Sequence, residues 1–339
     1  MRFKLIFILV LLPLLLCCRP NRQEQPPVCV TYAPATQTPA PESAGETFLY
    51  DGTYFRLLRG YRKGIPGICV KELSWAVPSV FYQELPGVDR RGELTVTRVE
   101  ILPDGEHPEA FVHVHYLDDD GQERIVCFDH AFSDWRHCYP LEPGSGLSLT
   151  DQQKRDYDDL LLFAYLYAHT QQETDRLTDP ESWEVTAQWC ILDGLYNNHG
   201  DALPHYIQGE GYVEDDYMAT TIVSLAELDA LFQSVLGRPC LLPEKTWRDE
   251  AWPDLQPGQI ALPPTDYCFR AWVKQVTELP DGTRRLCGYA GMGEGGYQEM
   301  IICCISPADG FLGWQIQQTE LYSAHAVAYD RDISLSPAE

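Results

Sequence analysis

Three histidines have a spacing that would suit a metal ion. His113 and His115 alternate along a stretch that reads as a β-strand, so both side chains point to one face, and His130 lies across the hairpin that follows. Imidazole nitrogens are good zinc ligands, and an Asp or Glu would complete such a site. The alternative is a partly exposed outer sheet face that happens to carry histidines. The sequence leaves both interpretations open, and its motifs predict no cofactor.

A second candidate is a segment between two predicted helices, where aromatic residues, glycines and acids are mixed. Its candidate ligand-binding residues are Tyr206, Glu210, Tyr212, Asp215 and Tyr217. Connecting loops of this composition often recognise ligands. A loop that only covers a core has the same composition, so this alternative also stays open.

No catalytic residues are predicted. The acidic run at 118–120 is not a calcium-binding loop, because Tyr116 and Cys127 stand where an acid and a Glu are required. The Gly-rich segment 291–296 lies between predicted strands and no helix begins after it, so it does not predict phosphate binding. Carboxylate pairs of the kind that hydrolyse glycosides stay open, because they are defined by separation in space.

The histidine-bearing strands belong to a segment that occurs twice. Leu-Pro-Asp-Gly at 102–105 recurs at 279–282, an offset of 177 residues, and Gln-Glu-x-Ile-x-Cys at 122–127 recurs at 298–303, an offset of 176. Such self-similarity indicates an internal repeat. Each copy reads as a four-stranded antiparallel meander, and we expect the Ile-x-Cys strands to contribute to one shared apolar face.

The Asp120-Gly121 pair predicts a two-residue turn in the first copy. That turn would place His113 opposite Phe128 and His115 opposite Val126. The predicted core face then carries Val112, Val114, Tyr116, Ile125 and Cys127. The other face carries Phe111, His113, His115, Val126, Phe128 and His130.

Between the copies the apolar spacing changes to that of helices. Thr150 with Gln153 forms a capping box, and Ser224 and Gly237 bracket a later helix. A further helix is predicted between these two, up to Gly200. The sequence therefore predicts an α+β fold, with two related antiparallel β-meander modules and a helical segment between them.

The composition limits the classes of partner. The 339 residues include 25 Lys and Arg against 50 Asp and Glu, which gives a net charge of −25. Such a charge repels phosphate backbones, so we expect no nucleic-acid partner. It also opposes docking on anionic lipid through charge alone.

The N-terminus has the layout of an export signal. Two basic residues precede an apolar run from Leu5 to Leu16, which is shorter than the roughly 20 residues of a membrane span. Cys17 and Cys18 follow at once. This resembles a bacterial lipoprotein signal, in which a thiol is lipidated and the peptide is cut before it. Cys18 is the lipidation candidate, because the residue before it is smaller than the one before Cys17. An ordinary secretory signal and an uncut anchor are the alternatives.

The predicted organisation follows from these segments. It comprises a signal peptide at 1–18, a disordered tether rich in Pro, Gln and Thr at 19–46, a β-rich module at 47–147, and helices followed by an antiparallel sheet at 148–339. Over about residues 148–320, the order of elements resembles NTF2-like and cystatin-like modules and the extracytoplasmic inhibitors of peptidoglycan endopeptidases. The resemblance implies an α+β module and assigns no residue a role.

The remaining ten cysteines bear on the redox state. An even number in an exported chain is compatible with disulfides. Cys127, Cys303 and Cys304, however, lie inside apolar strands, where thiols pack as small hydrophobic groups. We therefore expect mostly free, buried cysteines.

The leading functional hypothesis is a non-catalytic cell-envelope lipoprotein with a binding or sensing role, on the extracytoplasmic face of the membrane or secreted. Its expected partners are the membrane, through the lipid anchor, and a cell-wall component or another envelope protein. One alternative is an extracytoplasmic hydrolase that acts on cell wall or glycans through paired carboxylates. The other is an inhibitor of cell-wall hydrolases, whose acidic surface would meet a basic cleft.

Overall fold

The computed structural model describes residues 47–50, 53–62, 65–72, 80–88, 95–103, 110–131, 134–174, 183–199, 211–214, 219–242, 256–262, 269–292, 298–326 and 333–335. The predicted signal peptide, with Cys18, and the predicted tether lie outside these residues. Residues 38–339 group into one compact unit. The predicted domain boundaries stay predictions.

The chain begins with a sheet and the first meander. The N-terminal sheet contains β1 (Thr47–Tyr50), β2 (Thr53–Arg62), β3 (Ile65–Glu72) and β4 (Val80–Glu84). The first meander contains β5 (Thr95–Pro103), β6 (Ala110–Leu117), β7 (Glu123–Ala131) and β8 (Asp134–Leu141). Each strand of the meander pairs antiparallel with the next along the chain.

Helices and the second meander follow. The middle of the chain contains α1 (Asp151–Thr174), α2 (Trp183–His199), β9 (Gly211–Glu214), β10 (Ala219–Ser224), α3 (Leu225–Leu236) and β11 (Gln259–Leu262). The second meander contains β12 (Phe269–Glu278), β13 (Arg284–Met292), β14 (Gln298–Pro307) and β15 (Trp314–Tyr322). Two short strands, β16 (Ala324–Ala326) and β17 (Ile333–Leu335), end the described chain. Within the described residues there are three helices and four antiparallel sheets, which confirms the predicted α+β class and both meanders.

The C-terminal strands complete the N-terminal sheet, which the sequence did not predict. β16 pairs with β4, with Ala324 opposite Gln83, and β17 pairs with β2, with Ile333 opposite Arg62. Both pairings are antiparallel. The first and the last described strands of the chain therefore belong to one sheet.

The predicted start of α1 and both predicted ends of α3 are confirmed. Thr150 and Gln153 exchange hydrogen bonds at the start of α1, from Gln153 N to Thr150 Oγ1 at 3.3 Å and from Thr150 N to Gln153 Oε1 at 3.0 Å. Ser224 caps α3, and Gly237 ends it in the left-handed conformation with φ of 63°. None of the helices in the described part combines the length and apolar character needed to cross a membrane.

The predicted register of the β6–β7 hairpin was wrong by one residue. Its connection is five residues long, because the Asp118 carboxylate accepts the backbone N–H groups of Asp120 at 3.1 Å and of Gln122 at 2.7 Å. Leu117 and Glu123 form the last pair of the ladder. A slip of one residue moves every side chain of a strand to the other face.

The corrected register changes the faces of β7. Cys127 lies opposite His113 and Ile125 lies opposite His115. Val126 and Phe128 join the buried face with Val112, Val114 and Tyr116, and all five are fully buried. The core-face prediction was therefore right for these β6 residues and wrong for β7.

Both meanders have a β-bulge at the same place in their first strand. The register shifts between Val96 and Arg98 in β5, and between Val273 and Gln275 in β12. The extra residues are therefore Thr97 and Lys274, which are related by the offset of 177 residues found in the sequence. A bulge bends its strand and redirects the neighbouring side chains.

The third strands of the two meanders align in the sequence at an offset of 176 residues, but their structures correspond at an offset of 177. The cross-strand row of Val99, Val114 and Val126 corresponds to the row of Val276, Leu286 and Cys303. Cys303 thus takes the place of Val126, and Cys127 and Cys303 lie on opposite faces of their meanders. The prediction that the Ile-x-Cys strands share one apolar face was wrong. The identical residues of the two sequences are displaced by one residue from the positions that correspond in the structure, and a displacement of one residue changes the face.

The two corresponding rows face different layers. In the first meander, Val99, Val114 and Val126 pack with Ile68 and Leu85 of the N-terminal sheet region. In the second meander, Val276, Leu286 and Cys303 pack against the three helices. The middle of α1, from Leu160 to Leu166, is buried all round, because both α2 and the second meander contact it.

The first meander contacts the second through its edge strand β8. Tyr139, on one face of β8, packs with Tyr289 and Trp272 on the outer face of the second meander. Cys138, on the other face of β8, lies with its Sγ 3.6 Å from Met300 Sδ. Both faces of this one strand therefore contact the second meander.

The bulge at Lys274 is the centre of this contact. The Lys274 Nζ lies 5.3 Å from the ring centroid of Tyr139 and 5.4 Å from that of Tyr289, which is a cation–π geometry. On the helix side, the backbone N–H of Val273 donates to Asp158 Oδ1 at 2.6 Å. On the other side of the bulge, Gln275 Oε1 accepts a hydrogen bond from the Glu142 N–H at 2.5 Å. The residues at this bulge therefore contact both α1 and the first meander.

The eight described cysteines form no disulfide, which agrees with the expectation of mostly free, buried cysteines. Five of them, Cys69, Cys127, Cys138, Cys287 and Cys303, are buried. Burial raises the pKa of Cys69 and of Cys303 to about 12. These thiols are therefore protonated and poorly nucleophilic at neutral pH.

We predict that the stability of the protein falls between about pH 4 and pH 7 because of Asp158. Burial raises the pKa of its carboxyl from 3.8 to about 7, so the unfolded chain loses this proton near pH 4 and the folded chain keeps it until about pH 7. The folded state binds more protons in between, so the free energy of unfolding decreases as the pH rises through this window. Asp158→Asn keeps an oxygen for the Val273 N–H and should remove this component, which amounts to at most about 4 kcal/mol.

Urea denaturation of wild type and Asp158→Asn across this pH range measures the effect. Asp151→Asn, which changes an exposed carboxylate at the start of the same helix, is the control and should keep the wild-type slope. Equal slopes for wild type and Asp158→Asn would contradict the prediction.

We also predict the thiol count. At least eight thiols should react with a chromogenic disulfide reagent when the protein is denatured without a reductant. In the native protein, Cys69 and Cys303 should react far more slowly, because they are buried and protonated. A count below eight in the denatured, unreduced protein would mean that some of these cysteines form disulfides.

Candidate functional site

The bulge at Thr97 organises a charged cluster on the outer face of the first meander. Arg98 Nη2 lies 3.2 Å from His115 Nε2, and Arg98 Nε lies 3.1 Å from Glu100 Oε1. Glu100 Oε2 is 3.4 Å from His115 Nε2, and Glu123 Oε1 is 3.8 Å from His115 Nδ1. Thr97 Oγ1 donates to the same Glu123 oxygen at 3.2 Å. His115, whose side chain is 5% exposed, thus has a carboxylate near each ring nitrogen.

This geometry bears on the predicted metal site. Within the part of the chain that the structure describes, no group of three or more His, Cys, Asp or Glu side chains is arranged to hold a metal ion. His113 and His115 share a face as predicted, but Cys127 lies opposite His113 where Phe128 was expected. The third predicted ligand, His130, belongs to β7, and its side chain lies outside the described residues. The metal site therefore stays a prediction.

His113 differs from His115 in its surroundings. Burial lowers the pKa of His113 below its ordinary value, Glu100 opposes this effect, and the neighbouring His115 adds to it. His113 therefore favours the neutral form at the edge of the cluster. The cluster as a whole is an array of hydrogen-bonding and charged groups with a rim in solvent, since Arg98 is 57% and Glu123 is 51% exposed.

Most of the other candidate residues lie outside the described part of the chain. Tyr206, Glu210, Asp215 and Tyr217 lie outside the described residues, as does Cys18. Tyr212 lies in β9, opposite Thr221 of β10, but its side chain is also outside the described part. The ligand-loop hypothesis therefore stays a prediction.

A carboxylate–imidazole pair that the sequence did not reveal lies between α1 and β14. His169 Nδ1 is 3.0 Å from Glu299 Oε2, and the Glu299 side chain is only 3% exposed. The other carboxylate oxygen accepts a hydrogen bond from Ser323 Oγ at 3.4 Å. Tyr165 stacks on the His169 ring, with centroids 5.2 Å apart and planes at 25°. The pair thus fixes the end of α1 to the second meander and to the segment that follows β15.

The polar contacts continue from Ser323 into the N-terminal sheet. Gln83, which is fully buried in β4, donates from Nε2 to the carbonyl oxygens of Tyr322 at 3.1 Å and Ser323 at 3.2 Å. Its own Oε1 has no hydrogen-bond partner among the described residues, and neither does Oε1 of the buried Gln298. A chain of polar contacts therefore runs from His169 through Glu299 and Ser323 to Gln83.

The pair has a defined chemical capacity. A carboxylate at Nδ1 selects the tautomer that carries its proton there, and it leaves Nε2 as a proton acceptor. His169 is 32% exposed, so its ring is accessible to solvent. A base alone does not define a reaction, because a nucleophile or substrate must lie within hydrogen-bond reach of it. The role that the contacts support is structural.

No local signal in the sequence predicts this pair. His169 and Glu299 are 130 residues apart, and Glu299 lies in a strand that reads as largely apolar. His169 follows a buried run of α1 and sits at no motif. The only signal would be a charged residue in a strand that is otherwise buried, which needs a partner.

We predict that His169→Ala lowers the free energy of unfolding by about 1–3 kcal/mol, because it leaves a buried carboxylate without its imidazole partner. His169→Asn keeps an N–H donor near the position of Nδ1 and should be less destabilising. The double variant with Glu299→Gln should lose less than the sum of the two single variants, with a coupling of about 0.5–3 kcal/mol. Urea denaturation measures all four proteins.

Gln171→Ala, an exposed change two residues along the same helix, serves as the control and should stay within about 0.5 kcal/mol of wild type. Additive losses for the two single changes would show that the pair contributes nothing beyond its separate side chains.

Comparisons with known proteins give no relatives. The sequence matches no protein-family model, and neither the curated proteins nor the solved structures contain a match to it. The resemblance to NTF2-like, cystatin-like and inhibitor modules therefore stays a prediction.

Proposed function

We propose that this chain is a non-catalytic lipoprotein of the bacterial cell envelope, held to the extracytoplasmic face of the membrane by lipid on Cys18, with a binding or sensing role. The observation that carries the proposal is the order of segments at the N-terminus. A basic start, an apolar run that ends at Leu16, and Cys18 precede a segment rich in proline and glutamine.

Charge supports a covalent anchor over electrostatic adsorption. The chain has a net charge of −25, so an anionic membrane surface repels it. Each methylene of an acyl chain that enters the bilayer contributes about 0.8 kcal/mol, which can offset such repulsion. A tether of nearly thirty residues would then keep the acidic folded part away from the lipid headgroups.

The binding role is supported by polar side chains that are held in place at the surface. In the cluster around His115, hydrogen bonds and ion pairs hold Arg98, Glu100 and Glu123 on one face of the first meander, and its rim is exposed to solvent. Side chains that are fixed before a ligand arrives lose less conformational entropy on binding. A display protein on the outside of the membrane needs such a surface.

We predict that Cys18→Ser releases the protein from the membrane. Wild type should sediment with membranes, require detergent for extraction and incorporate a labelled fatty acid. Cys18→Ser should do none of these. Cys17→Ser is the matched control and should behave as wild type, because its thiol is not the modified one.

Cell fractionation with metabolic labelling tests all three proteins side by side. Recovery of wild type in the soluble cytoplasm would contradict the proposal. Loss of the label in Cys17→Ser alone would show that Cys17 is the lipidated residue.

A further inference from the structure

A depression of about 210 Å³ lies where the second half of α1, the turn after α3 and strand β15 meet. Its polar lining consists of Tyr167, Gln171, Arg238, Gln317, Gln318 and Thr319. Three of these side chains are amides and two are hydroxyls. Such groups both donate and accept hydrogen bonds without carrying charge.

The depression is close to neutral in a strongly acidic protein. The nine residues that line it, all in the described part, include no Asp or Glu, although the chain carries 50. Its one cation, Arg238, lies with Nη1 3.5 Å from Glu184 Oε1. The hydroxyl of Tyr167 donates to the same carboxylate oxygen at 3.2 Å. The positive charge is thus balanced beside the depression.

The amides of β15 are oriented by hydrogen bonds along the strand. Gln317 Nε2 donates to Ser306 Oγ at 2.9 Å and to Gln315 Oε1 at 3.1 Å. Gln318 Nε2 donates to Glu320 Oε1 at 2.8 Å, and these two residues lie on the face of β15 opposite to Leu321, which packs with the helices. With its nitrogen engaged, the Gln317 amide keeps a carbonyl oxygen that can accept from a ligand hydroxyl. Holding this amide in advance reduces the entropy lost on binding.

The rest of the lining is apolar. Ala168, Leu236 and Ile316 contribute hydrocarbon surface. A surface that combines hydrocarbon with amides and hydroxyls complements a sugar ring, which has C–H faces and hydroxyl edges. The volume is below the roughly 300–1,000 Å³ of pockets that enclose a whole drug-sized ligand. It therefore suits one ring of a longer chain that continues into solvent.

We propose that this depression binds one ring of a neutral oligosaccharide. The inference rests on the proposed binding role and gives that role a ligand class. An anionic ligand would meet a balanced arginine within a chain of net charge −25, which disfavours it. A wholly apolar ligand would cover the Gln317 amide oxygen without giving it a hydrogen bond, which is costly.

The test uses the full chain in detergent micelles, titrated by calorimetry at millimolar sugar. The neutral probes are the tetramer of N-acetylglucosamine and cellotetraose, and the acidic probe is tetragalacturonic acid. At least one neutral probe should bind, and more tightly than the acidic one. Gln171→Ala and Gln317→Ala should each weaken this binding about two- to tenfold, the loss of one hydrogen bond.

Gln152→Ala is the matched control, because Gln152 is an exposed glutamine at the opposite end of the same helix, and its affinity should equal that of wild type. Unchanged circular dichroism shows that each variant is folded. The inference is overturned if neither neutral probe binds, if the acidic probe binds better, or if both lining variants bind as wild type does. Because fractionation locates the protein independently, a membrane-anchored protein that fails these titrations refutes only the sugar site.

Discussion

The bulge at Lys274 is the backbone feature on which the packing of the two meanders depends. Beside the extra residue in β12, the Val273 N–H donates to Asp158 of α1, and the lysine ammonium lies near the rings of both Tyr139 and Tyr289. The strand continues with Gln275, whose amide exchanges hydrogen bonds with the backbone of Glu142. In a regular strand the backbone N–H and C=O groups point along the sheet toward neighbouring strands, whereas a bulge disrupts the ladder locally and lets backbone groups bind another layer.

The same irregularity has different surroundings in the first meander. There the extra residue is Thr97, and the neighbouring Arg98, Glu100 and Glu123 surround the buried His115. Where the second meander uses aromatic rings and a lysine to hold another layer, the first carries charged groups whose rim is exposed. The two meanders thus have a β-bulge at the same position and differ in the side chains that surround it. We propose that a duplication gave rise to both, with one copy used for assembly and the other left open to partners.

The sequence predicted much of the local structure, because that structure depends on neighbouring residues. Thr150 with Gln153 and the pair Ser224 and Gly237 identified helix ends, and apolar alternation identified all eight meander strands. The β6–β7 register was missed because the Asp118 side chain holds a five-residue turn that the Asp-Gly pair does not reveal. The predicted equivalence of Cys127 and Cys303 was wrong for a related reason, since identical residues in two aligned sequences need not lie on the same face of their sheets.

The rest depends on contacts between distant residues, which leave no local pattern. His169 and Glu299 meet only because α1 packs across the second meander. The depression likewise combines residues from α1, the turn after α3 and β15, each of which reads as an ordinary surface position in its own segment. A glutamine in a strand predicts nothing until its neighbours in space are known.

The pairing of β16 with β4 and of β17 with β2 constrains the order in which the protein can be built. A chain that leaves the ribosome or a membrane pore with its N-terminus first exposes β2 and β4 some 240 residues or more before their last partners emerge. Until then the N-terminal sheet has open edges, and open edges invite pairing with other chains. Non-local pairing of this kind also makes folding slow. The few residues of β16 and β17 therefore matter for the completed sheet out of proportion to their number.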